Sequence, residues 1–166
     1  VFLSALLLFS VQPLFTRMVL PRLGGSPSVW SVAMVFFQSI LLAGYAYAHV
    51  LTRSRYGLVI HLCVLGAAML TLPLAIAERW GNPPGNAVAP FWLLGLFAVS
   101  IGLPFFALAA NNPLLQAWFA RTPHRSASDP YFLYAASNIG SFIALLSYPL
   151  VFEPVFTLRL QNFLWA

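Results

Sequence analysis

SIGLPFFALAANNPLLQAWFAR, residues Ser100–Arg121, is the far half of an apolar run that begins at Phe91. Pro104, the amide pair Asn111 and Asn112, and Pro113 interrupt it. An uninterrupted run of this character belongs in hydrocarbon, where unpaired amides and freed carbonyls are costly. The stretch therefore reads as a membrane helix that turns its polar side chains toward other helices. From Phe91 to Ala120 the run is longer than the ~20 residues of one crossing. We expect a kink near Pro104 or at Asn112-Pro113, because an interior proline removes a backbone hydrogen bond and crowds the preceding turn.

The rest of the chain agrees with that reading. Of its 166 residues 61% are hydrophobic and 7% charged, against about 25% charged in an ordinary soluble domain. A soluble fold could not cover so much apolar surface. The sequence predicts one all-α transmembrane bundle of about six spans. They cover residues 1–20, 29–51, 57–77, 91–120 (kinked), 131–152 and 155–166, the last truncated. Polar breaks at Pro21–Ser28, Thr52–Tyr56, Glu78–Pro90 and Arg121–Pro130 separate them. The first residue is Val and the last, Ala166, falls inside an apolar stretch, so we read the chain as a fragment. The first run lacks a basic leader and a cleavage site, and reads as a span.

The net charge of +5 comes from arginines standing singly or in pairs at the ends of apolar runs. That is the habit of membrane flanks, and it argues against a nucleic-acid partner. With a cytoplasmic N-terminus, Arg53, Arg55, Arg121 and Arg125 lie inside; Arg22 and Arg79 lie outside, with Arg17 and Arg159 near helix ends. The positive-inside rule leans to that orientation.

An offset of 100 residues superimposes Gln12-Pro13-Leu14 on Asn112-Pro113-Leu114, and Gln38 on Asn138. It maps the first three spans onto the last three. An odd number of spans per copy makes the second copy inverted, a plan used by secondary transporters with their sites at interrupted helices. Chance matching in a biased composition is the competing account.

Gln12, Gln38, Asn111, Asn112 and Asn138 should face the interior, as interhelical glue or as the lining of a polar cavity. In the fifth span Tyr134, Ser137, Ser141 and Tyr148 form one face, and Ala136, Gly140 and Ala144 have the spacing of close helix contacts. Arg17 and Glu153 are charges within spans; they form an ion pair or snorkel to the headgroups. Cys63 reads as a packing residue. His49, His61 and His124 are scattered and make no metal site. Neither a cofactor motif nor a nucleophile with its base is visible.

Four strings carry a resemblance: FLSALLLFSVQPLFTRMVLPRLGGSPSVW (Phe2–Trp30), VFFQSILLAGYAYAH (Val35–His49), Ser100–Arg121, and PYFLYAASNIGSFIALLSYPLVFEP (Pro130–Pro154). Together they resemble the membrane region of bacterial fused spermidine synthase-like proteins. The resemblance implies half of a major facilitator-like fold in the inner membrane, joined to a C-terminal catalytic domain, with a polyamine or related small molecule as substrate. The nucleotide loop and acidic residues of such a domain are missing here, so no catalytic residue is carried over. A secondary transporter or permease subunit is the alternative. Nearly absent intramembrane carboxylates count against a polycation path within this chain alone.

Overall fold

The computed structural model describes residues 1–23, 27–76, 80 and 89–166. Most of the expected loop at 78–90 and the middle of the loop at 21–28 lie outside them, as do Glu78 and Arg79. Among the described residues the chain is all helical. The helices are α1 (Phe2–Leu23), α2 (Pro27–Leu51), α3 (Gly57–Met69), α4 (Ala89–Phe119) and α5 (Tyr131–Ser147). A π-helical turn (Tyr148–Phe152), the short α6 (Glu153–Val155) and α7 (Leu158–Trp165) complete the chain. Four helical segments are long and apolar enough to cross a membrane: Phe2–Pro21, Ser28–Leu51, Pro90–Phe119 and Tyr131–Val155.

Two expected spans take another form. The third ends at Met69 after 13 residues, about 20 Å of helix against a hydrocarbon core of about 30 Å. Pro73 explains the early stop, since the residue before a proline is pushed out of the helical region. The backbone beyond is satisfied from a distance: the Asn162 amide accepts from Leu74 N at 3.1 Å and donates to Leu74 O at 2.6 Å. The expected sixth span is the eight-residue α7, started by Thr157, whose hydroxyl accepts from Leu160 N. It turns Gln161 inward and lays Trp165 on α1, with Trp165 Nε1 donating to Leu7 O at 2.9 Å.

The proline-bearing helices run through their prolines. α1 contains Pro13 and Pro21, and α4 contains Pro104 and Pro113. Around Pro13 side chains supplement the backbone. Ser10 Oγ donates to Leu7 O at 3.1 Å, and Thr16 Oγ1 donates to Gln12 O at 2.7 Å. Membrane helices tolerate proline through such local donors.

α2 packs chiefly on α4, and α1 on α5. Small residues allow both approaches. A Cβ placed on Gly44 would come 2.8 Å from Ala109 Cβ, and one on Gly140 would strike the Phe2 carbonyl. The core is a fan of rings, in which Phe97 meets Phe15, Phe36 and Phe37 at centroid distances of 5.2, 5.3 and 5.6 Å. α3 lies at the periphery, burying only Gly57, His61 and Ala68 and exposing Leu58, Val59, Ile60 and Leu62. Apolar residues outside and a histidine inside suit lipid, not water.

Candidate functional site

A cavity of about 450 Å³ opens between α1, the first half of α2 and the end of α5. That is within the ~300–1,000 Å³ of small-ligand pockets. α1 gives it Gln12, Thr16 and Arg17, α2 gives Trp30 and Phe37, and the far wall is Tyr148, Pro149 and Glu153. Across it Arg17 Nη1 lies 3.2 Å from Glu153 Oε1, both side chains more than a third exposed. The structure thus brings together the two charges singled out in the sequence.

The π-helical turn shapes the far wall. Pro149 has no N–H to give, and the Glu153 N–H reaches back five residues to the Tyr148 carbonyl. Five residues of ordinary α-helix would turn the second side chain about 140° from the first. The wider turn reduces that rotation, and Tyr148 and Glu153 line the same cavity. The Tyr148 hydroxyl is buried without a hydrogen-bond partner of good geometry, beside both members of the ion pair. Of the cavity's other polar groups, Thr16 is occupied by the backbone, and Gln12 reaches Leu8 O only at 3.5 Å. The Arg17–Glu153 pair and the Tyr148 hydroxyl therefore form the cavity's charged and hydrogen-bonding end. Aromatic and aliphatic walls complete it.

The five amides do not line one cavity. Gln12 alone is at this one. Asn111 Nδ2 donates to Ser4 Oγ at 2.5 Å, joining α4 to α1, and Asn112 Nδ2 donates to Ser137 Oγ at 3.1 Å, joining α4 to α5. Gln38 and Asn138 are exposed, correcting the inward placement expected for them. Their helices are oriented by other residues. Ala33, Phe36, Phe37, Gly44 and Ala48 set the inward stripe of α2, and Gly140, Ala144 and Tyr148 that of α5. At 100° per residue both amides fall off those stripes.

Sequence reasoning undervalued Tyr148, read as packing, and His61, dismissed because it cannot hold a metal. Among the described residues no three His, Cys, Asp or Glu side chains are grouped together. The signal for Tyr148 was its place next to Pro149, where an irregular turn was foreseeable. Gln161 and Asn162 were hidden in what read as a truncated span. No family model, no curated protein and no solved structure matches this chain.

Proposed function

We propose that this chain is an integral membrane domain that holds the charged end of a small organic solute in the Arg17–Glu153 cavity. The observation carrying the proposal is the 3.2 Å ion pair placed at the wall of a ligand-sized, otherwise apolar pocket. A solute ammonium would compete with Arg17 for the Glu153 carboxylate, with Trp30, Phe37 and Tyr148 offering ring faces to the cation. One carboxylate suits one ammonium at a time, so a polyamine would be held by an end rather than along its length. In the longer protein implied by the sequence resemblance, this domain would anchor a spermidine synthase-like enzyme on the cytoplasmic face of a bacterial inner membrane.

The orientation has its own support. Arg121 Nη1 donates to Thr52 O at 2.6 Å, so the turn at 52–56 and the loop at 121–130 share one end of the bundle. Arg53, Arg55, Arg121 and Arg125 gather there, which favours that end, and the N-terminus with it, as cytoplasmic.

A specific pattern also supports the carrier reading, in which the solute is moved as well as held. At the 100-residue offset α1, α2 and α3 correspond to α4, α5 and α7, and α3 begins at Gly57 where α7 begins at Leu158. Exchanging the two copies turns the α2–α4 packing into the α5–α1 packing, the two most extensive in the bundle. That reciprocity is what an inverted repeat would produce.

The test is binding and uptake of labelled spermidine, with a neutral zwitterionic amino acid alongside, by the chain reconstituted in liposomes. We expect saturable spermidine binding that falls about tenfold in Glu153→Gln, ~1.4 kcal/mol. Equal, unsaturable signals in the original and the variant would remove the cavity from consideration.

A further inference from the structure

We infer that His61 forms a second functional centre, a buried position that takes up a proton from water and returns it. The imidazole is 1% exposed, and neither Nδ1 nor Nε2 has a hydrogen-bond partner of good geometry, the Asn111 amide being the polar side chain that approaches it. A neutral imidazole carries one N–H and one lone pair, and a buried site that satisfies neither with good geometry calls for an explanation beyond packing. α3 offers apolar side chains on every other face, yet it is turned so that its histidine, rather than a leucine, enters the bundle. An ionisable group so placed within a membrane helix is the natural candidate for a functional site.

The surroundings are aromatic, with a few polar groups set among them. From α2 comes Tyr47, its ring 6.0 Å from the imidazole and its hydroxyl likewise buried and unpartnered. α4 contributes Trp118 at 6.1 Å and the Asn111 amide, which in turn holds Ser4 of α1. The charged groups nearest in the chain lie at the exposed turn and are engaged there. Arg53 contacts His49 at 2.9 Å, and Arg121 bonds Thr52 O. No carboxylate is recorded in contact with the imidazole among the described residues. A proton accepted by the ring nitrogen is thus stabilised by neighbouring dipoles, the Asn111 amide among them, without a counter-charge to trap it. Its lone pair takes the proton from hydronium and gives it back to water, so nothing else is consumed. The route is short, since His61 stands one turn from the start of α3 and the exposed turn before it.

The corresponding position in the second half sharpens the contrast. Gln161, 100 residues on, is also buried, but its Nε2 donates to Phe152 O and Phe156 O at 2.9 and 2.8 Å. There the polar residue ties helix ends together; His61 makes no such bonds.

The site stands without the solute cavity; only its use in driving a solute by a proton gradient rests on the carrier reading above. The experiment keeps the two apart. With His49→Gln and His124→Gln, His61 is the one imidazole left for 15N-histidine labelling, and its ring shifts are followed in bilayers from about pH 5 to about 9. We expect conversion from a neutral tautomer to imidazolium, N–H exchange with deuterated water, and a displaced midpoint in Tyr47→Phe. A single neutral tautomer throughout, with no exchange, would overturn the proposal even if spermidine binds. Titration of His61 in a protein that binds no solute would uphold it and count against the carrier alone.

Discussion

Glu153 and Arg17 meet at 3.2 Å while each keeps more than a third of its side chain exposed. Screening at such a position limits the pair to about 0–1 kcal/mol of coupling. A double-mutant cycle with Arg17→Gln and Glu153→Gln, read by thermal unfolding in detergent, should return a coupling within that range. A value of several kcal/mol would mean that the pair is closed off from water. Asn112 provides a second case. Replacing it with Leu removes the bond to Ser137 Oγ and should cost ~0.6–2 kcal/mol, as membrane interhelical hydrogen bonds do; Ser137→Ala should cost a similar amount, and the double variant should add little more. These two sites were legible in the sequence for one reason: a charge or amide in a long apolar run must find a partner. Which way each amide points was not legible. Gln38 and Asn138 obey the small and aromatic residues beside them, whose combined stripe outweighs a single polar side chain. The partnership of Tyr148 with Glu153 depends on a π-helical turn, and residue spacing counted at 3.6 per turn puts them on different faces.

At the scale of elements, the bundle depends on two kinds of join. The first is close approach through small residues. Gly44→Leu would drive a branched side chain into Ala109 and the Ala110 backbone nitrogen, where even a Cβ would be too close. Overpacking of this kind costs about 1–3 kcal/mol, and we expect a lowered unfolding temperature with α2 and α4 separated. Gly66, which has open space around it, is the control: Gly66→Leu should leave the temperature unchanged or higher. The second join is the Asn162 amide on both backbone groups of Leu74, which ties the chain beyond α3 to α7. Helix type was plain from the apolar runs, and the four long helices fall close to the expected spans. The shortening of α3 was the harder inference, because Pro73 marks a break but the residue that satisfies the broken backbone lies 88 positions away.

For the whole molecule, the arrangement of arginines makes orientation a measurable consequence of the fold. The turn at 52–56 and the loop at 121–130 are tied by the Arg121–Thr52 bond and carry four arginines against Asp129 as their only acid. Arg17, Glu153 and the cavity belong to the other end, reached by α1 as it runs from Ser4, beside Asn111, toward Arg17. Because cytoplasmic loops retain arginine, the cavity should open toward the outside of the cell. Single cysteines introduced at Ser54, Ser126 and Thr157 in a Cys63→Ser background would report this, since Ser54 and Thr157 are exposed and Ser126 is half-buried in its loop. In intact cells an impermeant maleimide should label Thr157→Cys alone, and disruption of the membrane should release labelling at the other two. Labelling of Ser54→Cys and Ser126→Cys in intact cells would invert the molecule and place the cavity on the cytoplasmic side. If Ser54→Cys and Ser126→Cys labelled from opposite sides, the shared end would itself be wrong, and with it the packing of α2 on α4 that puts those two loops together.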